Sequence, residues 1–121
     1  MKRIVVAEDS PLQIEMLKAA LGRHPEYQLV FFSDGLELYR HLLREPADLA
    51  VLDIVMPRLS GLAVTRLLKF HRDHRNLRVL VVSSITDADI AERARACGAD
   101  SFLPKPLDFE ALERKVAELL R

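Results

Sequence analysis

Five short apolar runs, each followed by a stretch with helical spacing, constrain this chain more than any other feature. The runs fall at residues 4–7, 29–32, 49–52 and 79–82 and at the pair Phe102-Leu103. Their valine, isoleucine, leucine and phenylalanine content suits strands, and the near absence of polar interruptions predicts burial on both faces. The intervening segments read as helices. Ser10-Pro11-Leu12-Gln13 supplies an N-cap, a proline at the first helical position and a capping-box glutamine, ahead of a stripe of Ile14, Leu17 and Leu21. Leu36, Tyr39 and Leu43 mark a second helix, ended before Pro46. Val64, Leu67, Leu68 and His71 mark a third, opened by Ser60-Gly61. Ile90, Ala94 and Cys97 mark a fourth, with Gly98 at its C-terminus. Asp108 caps a fifth whose stripe is Phe109, Leu112, Val116 and Leu119. Parallel strands need crossover helices, so strict alternation predicts an α/β fold with a doubly wound parallel sheet covered on both sides.

The pattern fills all 121 residues without a linker or repeat, which predicts one domain over residues 1–121. Lysine plus arginine and aspartate plus glutamate each total 18, so the formal charge is zero. That balance gives no electrostatic reason to expect nucleic-acid or membrane binding. No apolar run approaches the roughly 20 residues that cross a bilayer. The charged opening Met1-Lys2-Arg3 precedes only four apolar residues and then two acids, which excludes a signal-peptide reading. The single cysteine, Cys97, rules out an internal disulfide, fits a reducing cytoplasm and reads as a small buried hydrophobe.

Chemistry concentrates where the runs end. The first ends in Glu8-Asp9, the third in Asp53, the fourth in Ser83, and the fifth leads to Lys105-Pro106. The carboxyl ends of parallel strands share one edge, where ligands bind in doubly wound folds. Three carboxylates, a hydroxyl and a lysine are therefore predicted to converge. Clustered carboxylates need a cation, and an all-oxygen set favours a hard one such as magnesium. In such a site one carboxylate can act as a nucleophile toward phosphorus while the metal and the lysine carry phosphoryl charge. The histidines at 24, 41, 71 and 74 read as surface or helix-edge residues. Even His71 and His74, three apart, lack a cysteine or acid to complete a zinc set. The charges at Glu110, Glu113, Arg114, Lys115 and Glu118 read as a solvated face, with a partner surface as the alternative.

The pieces Glu8-Asp9, Asp53-Ile54-Val55-Met56-Pro57 with Gly61, Ser83, Gly98-Ala99-Asp100 and Lys105-Pro106 together resemble the response-regulator receiver domain over essentially the whole chain. The resemblance implies a flavodoxin-like, five-stranded sheet in order 2-1-3-4-5 with five helices. It matches Asp53 to the phosphoacceptor, and Glu8, Asp9, Asp53 and the backbone carbonyl of Val55 to ligands of Mg2+ or Mn2+, with Glu8 acting through water. Lys105 matches the lysine that pairs with the phosphoryl group, and its bond to Pro106 resembles one that is usually cis. Ser83 matches the switch hydroxyl and Phe102 the aromatic that turns inward on activation.

By the same resemblance the partners are a sensor histidine kinase or phosphotransfer protein and a downstream output domain or protein. Activation changes the surface of the fourth helix, fifth strand and fifth helix, with homodimerisation on activation. The domain catalyses only its own phosphoryl transfer and dephosphorylation. This sequence has Glu-Asp where Asp-Asp is commoner, serine for the more frequent threonine at 83, and phenylalanine for tyrosine at 102. Val55 and Ile85 occupy positions that tune phosphoryl lifetime in the family, and neither can orient a water, which implies slow self-dephosphorylation. A haloacid-dehalogenase-like phosphatase would need an acid where Val55 stands and a cap segment over its substrate. A receiver-like interaction module that no longer accepts phosphate would not need the intact set of Glu8, Asp9, Asp53, Ser83 and Lys105.

Overall fold

The computed structural model describes residues 1–74 and 76–121. Five strands, β1 (Lys2–Ala7), β2 (Tyr27–Phe32), β3 (Leu49–Asp53), β4 (Arg78–Ser83) and β5 (Ser101–Pro104), alternate with five helices. The helices are α1 (Pro11–Gly22), α2 (Gly35–Leu42), α3 (Gly61–Lys69), α4 (Ile90–Ala96) and α5 (Phe109–Leu119). A short 3-10 turn, Arg72–His74, follows α3. All strand pairs are parallel and the order is β2-β1-β3-β4-β5. The expected fold and strand order are both found.

Successive side chains on a strand point to opposite faces, and the core divides accordingly. Val5, Ala7, Ala50, Leu52, Val79 and Val81 pack under α2, α3 and α4, against Leu38, Leu42, Val64, Leu68, Ile90 and Ala94. Ile4, Val6, Leu49, Val51, Leu80 and Val82 pack under α1 and α5, against Leu17, Leu21, Leu112 and Val116. Every residue of β3 is buried, which is why its run shows no polar alternation. Each fully buried leucine or valine in these layers contributes on the order of 1.5–3 kcal/mol of burial.

Three local expectations fail. The buried stripe of α2 is Leu38 and Leu42 rather than Leu36, Tyr39 and Leu43, and Leu43 lies past the helix, 51% exposed. Asp34 starts this helix by accepting from the Glu37 N–H at 2.8 Å, which turns Leu38 and Leu42, one turn apart, toward the sheet. In α3, Val64 and Leu68 are buried while Leu67 is 43% exposed and His71 lies beyond the helix. At α1 the Ser10 hydroxyl accepts from the Gln13 N–H, but the Ser10 N–H donates to Glu8 rather than to Gln13, so the capping box is not closed. A carboxylate two residues away accepts the bond that the glutamine would have taken. Asp108 and Ser60 cap as expected, and Cys97 is buried.

Candidate functional site

Strand register sets the site. Ala7 pairs with Leu52, so Glu8 and Asp53 leave neighbouring strands side by side. Asp53 pairs with Val82 and Ser83 with Pro104, which brings Ser83 and Lys105 to the same edge. The Lys105 N–H donates to the Ser83 carbonyl at 2.8 Å, continuing the ladder one residue past β5. The carboxylates of Glu8, Asp9 and Asp53 each offer an oxygen within 4.8 Å of the others.

The acids are held differently. Lys105 Nζ donates to Glu8 Oε1 and to Asp53 Oδ2, both at 2.8 Å, while the three side chains are 15%, 2% and 8% exposed. The second oxygen of Glu8 accepts from the Ser10 N–H at 3.1 Å, and that of Asp53 from the Val55 N–H at 3.3 Å. Asp9 is exposed at the mouth. Burial alone would lower the Lys105 pKa, but the hydrogen bonds to Asp53 and Glu8 outweigh it and hold the ammonium above its ordinary value. Three carboxylates face one ammonium, so the cluster carries two negative charges in excess. A hard divalent cation fits that donor set.

The loop from β3 to α3 closes tightly over Asp53. The Gly61 N–H donates to the Ile54 carbonyl at 2.9 Å, and a Cβ on Gly61 would lie 2.2 Å from the Asp53 carbonyl oxygen. Glycine is therefore required there by close backbone approach. Val55, the second residue of the loop, is 61% exposed. Ser83 is fully buried and its hydroxyl accepts from the Ile85 N–H at 3.0 Å, leaving its proton to donate. Phe102 is half-buried against the α4 side of the core and lines a cleft of about 220 Å3 with Ala91, Arg95 and Ala99. The Lys105-Pro106 bond is cis.

The structure thus brings together Glu8, Asp9, Asp53 and Lys105, with Val55 and Ser83 adjoining and Phe102 one strand away. It also reveals a neighbour absent from the sequence reading. Arg58, in the β3–α3 loop, donates through Nε and Nη2 to Asp34 Oδ2 at 3.1 and 2.7 Å. Asp34-Gly35 announces a helix start and Pro57-Arg58 a turn, but no spacing rule joins positions 24 residues apart.

A family model described as the response regulator receiver domain matches residues 4–117. Response regulator GtcR of Aneurinibacillus migulanus is 34% identical over 121 residues, 99% of this chain and 48% of that protein. The chain spans about half the length of the curated relatives it matches. Among solved structures, the signal receiver domain of a signal transduction histidine kinase from Syntrophus aciditrophicus superimposes with a TM-score of 0.91 at 35% identity, covering 99% of this chain and 90% of that one. The receiver domain of sensor histidine kinase PA1611 from Pseudomonas aeruginosa PAO1, solved with a magnesium ion coordinated in its active site cleft, has the same fold. Its TM-score is 0.86 at 23% identity, covering 98% and 97%.

Proposed function

The chain belongs to the response regulator receiver domain family, and from that premise we propose that residues 1–121 form one phosphorylation-dependent switch whose acceptor is Asp53. The observation that carries this reading is the buried Asp53 carboxylate, flanked by the oxygens of Glu8 and Asp9 and paired with Lys105 at 2.8 Å. Glu8, Asp9, Asp53 and the Val55 carbonyl would hold Mg2+ or Mn2+, which the acidic excess of the cluster and the magnesium in the PA1611 receiver both support. When bound, the cation supplies charge neutralisation at the phosphoryl oxygens.

An Asp53 carboxylate oxygen attacks the phosphorus of a partner's phosphohistidine. The new bond is O–P, the P–N bond breaks, and the leaving imidazole takes a proton from solvent. Lys105 exchanges its hold on Asp53 Oδ2 for a phosphoryl oxygen, and its elevated pKa keeps it charged throughout the physiological range. The Ser83 hydroxyl gives up the Ile85 N–H and donates to another phosphoryl oxygen. Its displacement leaves space beside β4 that the half-buried Phe102 fills, which biases an existing equilibrium between two arrangements of α4, β5 and α5. That surface then engages an output domain or protein, or a second copy of the chain. The donor is a sensor histidine kinase or phosphotransfer protein in the cytoplasm. No metabolite is turned over; the zero formal charge suits a protein partner rather than nucleic acid.

The test is intact-mass analysis after treatment with acetyl phosphate and magnesium. The native chain gains one phosphate-sized increment and Asp53→Asn gains none. Equal labelling of both removes Asp53 as the acceptor.

A further inference from the structure

We propose that Asp34 and Arg58 form a positioning pair that sets the β3–α3 loop, and with it the Val55 carbonyl, for metal binding. The inference rests on the reading of Asp53 as the acceptor beside a metal site.

Arg58 adopts φ 66, a left-handed conformation that side-chain-bearing residues rarely take. The Leu59 N–H donates to the Pro57 carbonyl at 2.7 Å across it, so Arg58 is the centre of a tight three-residue turn. Such a conformation persists only where its surroundings impose it. Two contacts to the start of α2 do so. The guanidinium grips one oxygen of Asp34 while the other caps α2 through the Glu37 N–H. One residue further along each segment, Gly35 lies so close to the loop that a Cβ would sit 2.0 Å from the Leu59 carbonyl oxygen. At its base the loop is closed by the Gly61 N–H on the Ile54 carbonyl and by the Val55 N–H on Asp53 Oδ1. The loop is therefore fixed at base and tip, with Val55 between the two.

The Glu37 N–H and then the Arg58 guanidinium pull the Asp34 pKa down, and the hydrogen bond to Asp34 pushes the Arg58 pKa up. Their chemistry touches neither metal nor phosphoryl group. They act through the backbone of residues 55–58.

The experiment measures Mn2+ binding to the full chain as native protein, Asp34→Asn, Arg58→Gln, the double variant and Asp53→Asn, with urea unfolding run in parallel. Asp34→Asn keeps an oxygen for the α2 cap and loses only the grip on Arg58. Each single variant is expected to bind Mn2+ about fivefold more weakly, as suits a half-exposed ion pair. The double variant is expected to bind no worse than either, because both changes remove one interaction. Acetyl phosphate labelling at subsaturating metal falls in parallel and recovers when metal is raised. Single variants that are less stable yet bind Mn2+ as the native chain does would reduce the pair to a structural brace and overturn the proposal. Native protein that binds Mn2+ no better than Asp53→Asn would instead overturn the acceptor site itself.

Discussion

Replacing Lys105 with methionine keeps a long apolar stem and removes the ammonium that Glu8 and Asp53 both bind at 2.8 Å. The two carboxylates it abandons are 2% and 8% exposed, so water replaces it poorly. Removing one partner of a buried ion pair costs about 3–5 kcal/mol. The solvent access marked by exposed Asp9 places the loss near the lower end, about 3 kcal/mol at neutral pH without metal. For a domain of this size that corresponds to a fall in Tm of about 10 °C or more.

A divalent cation supplies the charge that the variant lacks, so saturation at about 100 times Kd returns about 2.7 kcal/mol. Urea unfolding of both proteins, in chelator and at one fixed magnesium concentration about 100 times the variant's Kd, reads each quantity. The pH dependence follows from the groups involved. The raised pKa means that the lysine's contribution is full below its ordinary value near 10.5 and is lost as pH rises through the higher folded value. A variant as stable as the native chain in chelator, or one that gains no more from magnesium than the native chain does, would refute the electrostatic account.

Gly35→Ala drives a Cβ to 2.0 Å from the Leu59 carbonyl, a backbone atom that cannot swing aside; a loss of about 2–3 kcal/mol in urea unfolding is expected, and a loss below about 0.5 would mean the loop yields. Phospho-Asp53 is expected to hydrolyse over minutes or longer in the isolated chain, since neither the exposed Val55 nor the half-buried Ile85 can align a water; loss of the mass increment within seconds would contradict this. The Glu37 N–H and then Arg58 hold the Asp34 carboxyl below the usual range. Its stabilisation is present above its unfolded value and disappears as pH falls through the lower folded value, so native and Asp34→Asn stabilities should converge below about pH 4 and separate above it.

Much of this molecule is legible in its sequence because a parallel sheet writes itself as buried runs and places its chemistry at their ends. Glu8, Asp53, Ser83 and Lys105 each follow such a run, and one register brings them together. Strand order was not readable from periodicity, since any right-handed arrangement of these crossovers buries the same residues; it came from resemblance to a family. The face of α2 was misread because Leu36, Leu38, Tyr39, Leu42 and Leu43 support two overlapping stripes in an eight-residue helix, and only Asp34's cap and the sheet beneath decide between them. The capping box failed through competition from Glu8, which lies outside the motif. Arg58 on Asp34 was invisible because a long-range ion pair leaves no local pattern.

Lys105 stands 97 residues from Glu8 and 52 from Asp53, one residue past the outermost strand of its side of the sheet. Without β5, the same arrangement of β1, β3 and β4 would leave Glu8 and Asp53 side by side with no ammonium between them and the β4 edge open. Synthesis runs from the N-terminus, and a domain generally folds as a unit. The final strand therefore closes the edge and delivers the counter-charge in one event. An incomplete sheet would be penalised twice, so the ammonium that balances the acidic cluster also ties the last strand to the rest of the fold.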